Sequence, residues 1–195
     1  MKSKRNLHSA QFTMRKASIL LLLLFALQLT LTSCAVYEDT GIMPSQIKRD
    51  KFDGSIYVEQ SKAKAHLLKE PFGHTLEFTW YKKQPDVIYV TVGVKDIDNI
   101  QGLSFNIGDR FITAKKASSH TRYSPNYYSH ASSYSYRQFK INYRDFKSII
   151  TASNVRMKVS YIDTYSVSTF GISHNVQVNR FAPVFLSQVE SIRGN

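Results

Sequence analysis

The sequence predicts an α+β fold that is mainly β: an antiparallel sheet or sandwich with one connecting helix and a C-terminal helix packed on it. Three observations carry this. Apolar residues recur with period two in several separate stretches between residues 75 and 172, the pattern of strands buried on one face. One stretch between two of them changes to helical spacing. The stretch that closes the chain, 179–194, changes in the same way. No internal repeat is present, so one domain of 54–195 accounts for all of these elements.

Taken in order, Tyr37 to Asp53 is polar and aperiodic, with Gly41 and Pro44, and reads as a tether spanning 34–53. Ser61 to Lys69 is expected to form a short helix closed by Pro71. "TLEFTWY" puts Leu76, Phe78 and Trp80 on one face. "DVIYVTVGV" puts Ile88, Val90, Val92 and Val94 on one face and Val87 and Tyr89 on the other, and "KKQPD" between them reads as a hairpin turn. "LSFNIGDRFITA" alternates through Leu103, Phe105 and Ile107 and turns at Gly108-Asp109. "YRQFKINY" alternates through Phe139, Ile141 and Tyr143.

"NYRDFKSIITASN" then gathers Phe146, Ile149 and Ile150 on one helical stripe. Asn142 is its expected cap, and Asp145 sits three residues on as in a capping box. "VRMKVSYI" is the clearest strand, with Val155, Met157, Val159 and Tyr161 inward and Arg156, Lys158 and Ser160 outward. "TYSVSTFGI" is its expected hairpin partner, turning near Asp163-Thr164. In "NRFAPVFLSQVESIRG" Phe181, Val184, Phe185, Val189 and Ile192 share a helical face. Asn179 is the expected cap, Pro183 falls in the first turn, and Gly194 closes the end.

The first 33 residues follow another logic. Lys2, Lys4, Arg5, Arg15 and Lys16 precede an unbroken apolar run, Ile19 to Leu27, and no acidic residue occurs before Glu38. The run is short of the roughly 20 apolar residues that span a bilayer. A basic segment, a short apolar segment and small residues after it describe a secretory signal. Met14 offers an alternative start that gives a signal of ordinary length. At its end Leu31-Thr32-Ser33-Cys34 resembles the lipobox of bacterial lipoproteins, and Cys34 is the single cysteine of the chain. The resemblance implies acylation of Cys34, removal of 1–33, and a membrane partner held through acyl chains, since two or more chains give a stable anchor. With Ala35 rather than aspartate next to the cysteine, it also implies the outer membrane. Beyond the signal and lipobox, the whole arrangement resembles small Gram-negative lipoproteins of uncharacterised activity, which adds location and no chemistry.

Composition limits the partners. Removing 1–33 takes five of the 26 Lys and Arg and none of the 14 Asp and Glu, leaving a net charge of +7. Such a charge attracts anionic surfaces, among them phosphorylated lipopolysaccharide and acidic glycan. The export signal argues against nucleic acid, and the basic residues are scattered pairs, not a stripe. With one cysteine there is no internal disulfide, so packing supplies the stability.

The segment with the most unusual composition is 117–136, "ASSHTRYSPNYYSHASSYSY", with seven serines and five tyrosines. Binding loops favour this mixture, because tyrosine gives contact area at low entropic cost and serine gives adaptable hydrogen bonds. Tyr123, Tyr127, Tyr128, Tyr134 and Tyr136 are therefore the candidate ligand contacts; a solvated hairpin loop is the plainer account. No metal or cofactor is expected. His120 and His130 lack a nearby carboxylate or thiolate to complete a coordination set, and His66 with Glu70 reads as a surface contact. Asp96 and Asp98 resemble the start of a calcium loop, but Ile100 and Gln101 stand where an oxygen ligand and a glycine are needed. "GISHN" has Ser173 but Asn175 in place of the second glycine of a nucleophile elbow.

No catalytic constellation is recognised. The expected function is a non-catalytic, membrane-anchored lipoprotein of the cell envelope that binds or assembles an envelope partner. The alternatives are a binder of carbohydrate or lipopolysaccharide and, behind it, an envelope hydrolase using Asp96 or Asp98.

Overall fold

The computed structural model describes residues 44–65, 73–124 and 133–194, within the unit Met43–Asn195. These residues form β1 (Gln46–Arg49), β2 (Ile56–Lys64), β3 (His74–Tyr81), β4 (Val87–Lys95), β5 (Gly102–Ile107), β6 (Arg110–Thr113), β7 (Lys115–Lys116), β8 (Arg122–Ser124), β9 (Tyr134–Asn142), α1 (Tyr143–Thr151), β10 (Val155–Ser160), β11 (Tyr165–Phe170) and α2 (Gln177–Arg193). Seven strands make one sheet in the order β1-β2-β3-β4-β9-β7, with β8 also on β9. Four make a second, β11-β10-β5-β6. Every pairing is antiparallel. The fold is the mainly β, α+β arrangement that the alternation predicts.

The period-two pattern works because successive side chains leave a strand on opposite faces. On β3 and β4 the inward set Leu76, Phe78, Trp80, Ile88, Val90, Val92 and Val94 is at most 1% exposed. Leu103, Phe105, Met157, Val159 and Phe170 face it from the second sheet, and all are buried. Between the layers α1 inserts Phe146, Ile149 and Ile150, and α2 lies on β2 and β3 with Phe181, Phe185 and Val189. Phe78 is the hub: its ring centroid lies 5.0 Å from that of Phe146 and 5.6 Å from that of Phe185, two rings that are themselves 5.8 Å apart.

Local chemistry fixes the helix ends. Asn142 Oδ1 accepts from the Arg144 backbone N–H, capping α1 as its sequence predicts. On α2 the expectation fails. The helix starts at Gln177 after Val176, so Pro183 is its seventh residue and not in its first turn. Asn179, the expected cap, instead accepts from Gly171 N and donates from Nδ2 to the carbonyls of Gly171 and His174. It ties the incoming loop to the first turn from inside the helix. Gly194 closes the other end, donating to the Glu190 carbonyl.

Three more expectations change. Residues 61–64 are strand, not helix; a bulge between Gln60 and Ala63 lets β2 keep Ala63 on the buried side, and 66–72 lie outside the described residues. Residues 46–49, expected in the tether, pair with β2 as an edge strand, because Ile47 can sit opposite Val58 and Lys48 beside Glu59. The Ser/Tyr-rich segment 117–136 is partly sheet: β8 pairs Arg122 with Tyr136 and Ser124 with Tyr134, and Tyr134–Tyr136 open β9. Residues 125–132 lie outside the described residues.

Candidate functional site

The seven-stranded sheet buries one face against the core; the other faces outward, with Thr91 and Gly93 near its middle buried beneath neighbouring side chains. The residues between the apolar ones on β3, Thr75, Glu77, Thr79 and Tyr81, populate the outer face, as do Tyr89, Thr91 and Gly93 on β4. Register then aligns the strands into rows. One row runs Glu59–Thr79–Tyr89–Lys140–Lys115, the next Glu77–Thr91–Gln138, and the next Thr75–Gly93–Tyr136–Arg122.

Two depressions lie on this face. The first, about 300 Å³, is lined by Lys62, Glu77, Thr91, Arg122, Tyr123 and Tyr136, with Ser124 at its rim. Lys62 Nζ donates to the Tyr136 hydroxyl at 2.7 Å and stands 4.3 Å from the centre of that ring. The ring can lie on the sheet only because Gly93 is beneath it. A Cβ there would sit 2.7 Å from a Tyr136 ring carbon and against Thr75 Oγ1. Tyr134 stacks beside Tyr136, centroids 6.0 Å apart and planes 16° apart. Burial pushes the Glu77 carboxyl above its ordinary value, with the nearby Lys62 ammonium opposing the shift.

The second depression, about 380 Å³, is lined by Asp50, Asp53, Tyr81, Lys83, Tyr89 and Gln138, among others. Here Tyr57, Tyr81 and Tyr89 make a ladder across three strands, with centroids 5.8 and 5.5 Å apart. Lys140 Nζ lies 5.3 Å from the Tyr89 ring centre, and the Tyr89 hydroxyl donates to Gln84 Oε1. Burial and the neighbouring phenols push the Tyr81 hydroxyl up, so that phenol is neutral over the physiological range.

Of the residues singled out in sequence, Tyr123, Tyr134 and Tyr136 do come together, at the first depression. Cys34, Tyr127, Tyr128, His66, Glu70 and His130 lie outside the described residues. His120 is a surface residue beside Ser119. Asp96 and Asp98 belong to the turn after β4 and line neither depression. Ser135 Oγ accepts from Asp98 N and donates to the Asp96 carbonyl, and Asp96 adopts φ +133°, a conformation side chains rarely take. Ser173 donates to the Ser153 carbonyl in a turn after β11. Among the described residues no three His, Cys, Asp or Glu side chains gather as a metal set, and no helix is long and apolar enough to cross a membrane.

A serine–histidine cluster does exist, but sealed. His74 on β3 contacts Ser168 Oγ through Nδ1 and Ser166 Oγ at 2.7 Å through Nε2, and Ser166 meets the Tyr161 hydroxyl at 2.7 Å. His74 and Ser168 are 0% exposed, so no substrate reaches them. The cluster satisfies polar groups between the two sheets. Arg137 is likewise inward and buried. It donates to the carbonyls of Ile100, Ser118 and Ser119 at 2.6 to 3.2 Å and ties together the two loops beside the first depression.

Comparison of the chain with protein-family models, with curated proteins and with solved structures gives no significant match.

Proposed function

We propose that this chain is a non-catalytic lipoprotein of the bacterial cell envelope, anchored through acyl chains on Cys34 and facing an envelope partner with the open side of its seven-stranded sheet. One observation carries the binding part: a sheet sealed on one face puts five tyrosines, Tyr57, Tyr81, Tyr89, Tyr134 and Tyr136, on the other. Aromatic side chains are enriched at binding surfaces and are not what solubility alone requires. The basic segment, short apolar run and Leu31-Thr32-Ser33-Cys34 support the anchor, and Ala35 supports the outer membrane. The reachable chemistry on the open face is stacking, hydrogen bonding and charge, which suits binding better than turnover.

Two experiments test the reading. Cys34→Ser is expected to move the protein from the membrane to the soluble fraction of fractionated cells; continued lipid labelling of that variant would refute the anchor. A photo-cross-linking amino acid at Tyr81, on the open face, is expected to capture one envelope component in intact cells. The same probe at Val184, exposed on α2, is expected to capture none. Equal capture from both positions, or none from either, would refute the binding face.

A further inference from the structure

From the geometry of the open face we infer that its ligand is an extended, carboxylate-bearing polysaccharide, held on two aromatic stations and a surrounding set of cations. The inference rests on the binding-face reading and gives that face a ligand class.

Begin with the stations. The Tyr57–Tyr81–Tyr89 ladder and the Tyr134–Tyr136 pair lie on the same side of one sheet. Register places Tyr89 opposite Lys140 and Gly93 opposite Tyr136, four residues further along the same two strands. That separation is about 13 Å. The row between them is Glu77–Thr91–Gln138, a carboxylate, a hydroxyl and an amide. Glu77 and Thr91 line the first depression and Gln138 the second, so the two are contiguous. A chain of pyranose rings matches this order. The C–H face of a sugar packs on an aromatic ring, and its rim of hydroxyls needs acceptors and donors between one stacking point and the next. The spacing suits a ligand of several sugar units and is too long for a single one.

Charge decides the class of glycan. Lys62, Lys95, Lys115, Arg122 and Lys140 are exposed around this face, and none takes part in the five ion pairs of the described residues. Lys115 and Lys140 are direct cross-strand partners, an arrangement that costs stability without an anion. Lys95 is the partner of Tyr134, and Arg122 of Tyr136, so each station has cations of its own. Against these five stand Glu77 and Asp50, for Glu59 is neutralised by Lys48 at 2.6 Å and Asp53 by Lys83. A neutral glycan would leave the excess of cations unmatched, and a small anion would leave the stations empty. An anionic polysaccharide uses both features.

The test is titration calorimetry of the full-length protein in neutral detergent micelles with defined probes: polygalacturonate oligomers, neutral dextran of equal length, and the same micelles containing phosphatidylglycerol. Polygalacturonate is expected to bind, more weakly as salt rises. Tyr89→Ala and Tyr136→Ala, which leave net charge unchanged, are each expected to weaken it about tenfold. Thermal melts establish that each variant is folded, and Lys115→Gln with Lys140→Gln gives a second, surface-only perturbation expected to weaken binding similarly. Polygalacturonate binding that ignores both tyrosine substitutions would be non-specific charge attraction and would overturn the inference. So would equal binding of dextran, or a binding signal from the phosphatidylglycerol micelles alone. If no polysaccharide binds while the Tyr81 cross-link still captures an envelope protein, the ligand class falls and the binding face stands. If both fail, both fall.

Discussion

Gly93→Ala tests how the fold builds the open face. The added methyl would meet Thr75 Oγ1 and lie 2.7 and 3.0 Å from two Tyr136 ring carbons. Nothing there yields without loss. Thr75 is β-branched and held between β2 and β4, while lifting the Tyr136 ring breaks its hydrogen bond from Lys62. Overfilling of this kind costs about 1–3 kcal/mol. Replacing a strand glycine returns about 0.4–1 kcal/mol by restricting the unfolded chain. The net expectation is a loss of about 1–2 kcal/mol, which for a domain of this size lowers Tm by roughly 2–8 °C. Thermal and urea denaturation would measure it. Thr75 Oγ1 is buried without a hydrogen-bond partner, so Thr75→Ala should cost little itself. Combined with Tyr136→Ala, it should convert Gly93→Ala from destabilising to mildly stabilising. A single Gly93→Ala variant as stable as wild type, with the Tyr136 ring unmoved, would refute the account of why a glycine stands there.

Three further outcomes follow from the same contacts. Arg137→Met removes the donor for three loop carbonyls and should cost about 2–4 kcal/mol; amide exchange should quicken at 98–101 and 118–121, and Arg137→Lys, which lacks the fork, should recover less than half the loss. Glu77 has its carboxyl raised above the ordinary 4.5 by burial, so the folded state holds that proton more tightly than the unfolded one. Stability should then fall as pH rises through the window above 4.5, and Glu77→Gln should stabilise at pH 7 with a gain that vanishes at acid pH; urea midpoints at both pH values measure it. Phe78→Ala opens a cavity where two other rings meet and should cost about 3–5 kcal/mol in urea denaturation.

Much of the fold was legible because period two needs only a dry side. "TLEFTWY", "DVIYVTVGV" and "VRMKVSYI" each name their buried residues without reference to any neighbour, and the structure buries them all but Tyr161, which lies past the end of β10 and is half-buried. Asn142 was legible for a similar reason, since a cap acts within two residues of itself. What escaped was long-range. Nothing local says that β9 adds to β4, across some forty residues of intervening chain, so the row joining Tyr89, Lys140 and Lys115 could not be read. Residues 61–64 have no strong pattern and follow β3 as strand, with the bulge absorbing the mismatch. Two of the five tyrosines named in sequence, Tyr123 and Tyr136, line the first depression, and a third, Tyr134, stacks beside Tyr136. The second depression was missed because Tyr57, Tyr81 and Tyr89 come from three strands, each showing a single tyrosine on its polar side. An outward tyrosine on a strand is a faint signal alone and a strong one only once register lines up three.

The inner face teaches the opposite lesson about alternation. Extending the inward set Phe139 and Ile141 backward along β9 reaches Arg137 and then Ser135, both buried, where the pattern asks for apolar residues. The reason lies at the end of the layer. Near the loops after β4 and β7 the opposing surface is no longer side chains but backbone carbonyls, of Asp96, Ile100, Ser118 and Ser119. Buried carbonyls need donors. A guanidinium supplies several at once in a fixed fork, and a serine hydroxyl can accept from one amide while donating to another carbonyl. A leucine at either position would fill the volume and leave those groups unbonded. Position on a face therefore predicts burial, while what lies across the gap selects the residue type. That is why these two polar residues sit inside the sheet, and why the loops they hold are placed beside the tyrosines of the open face.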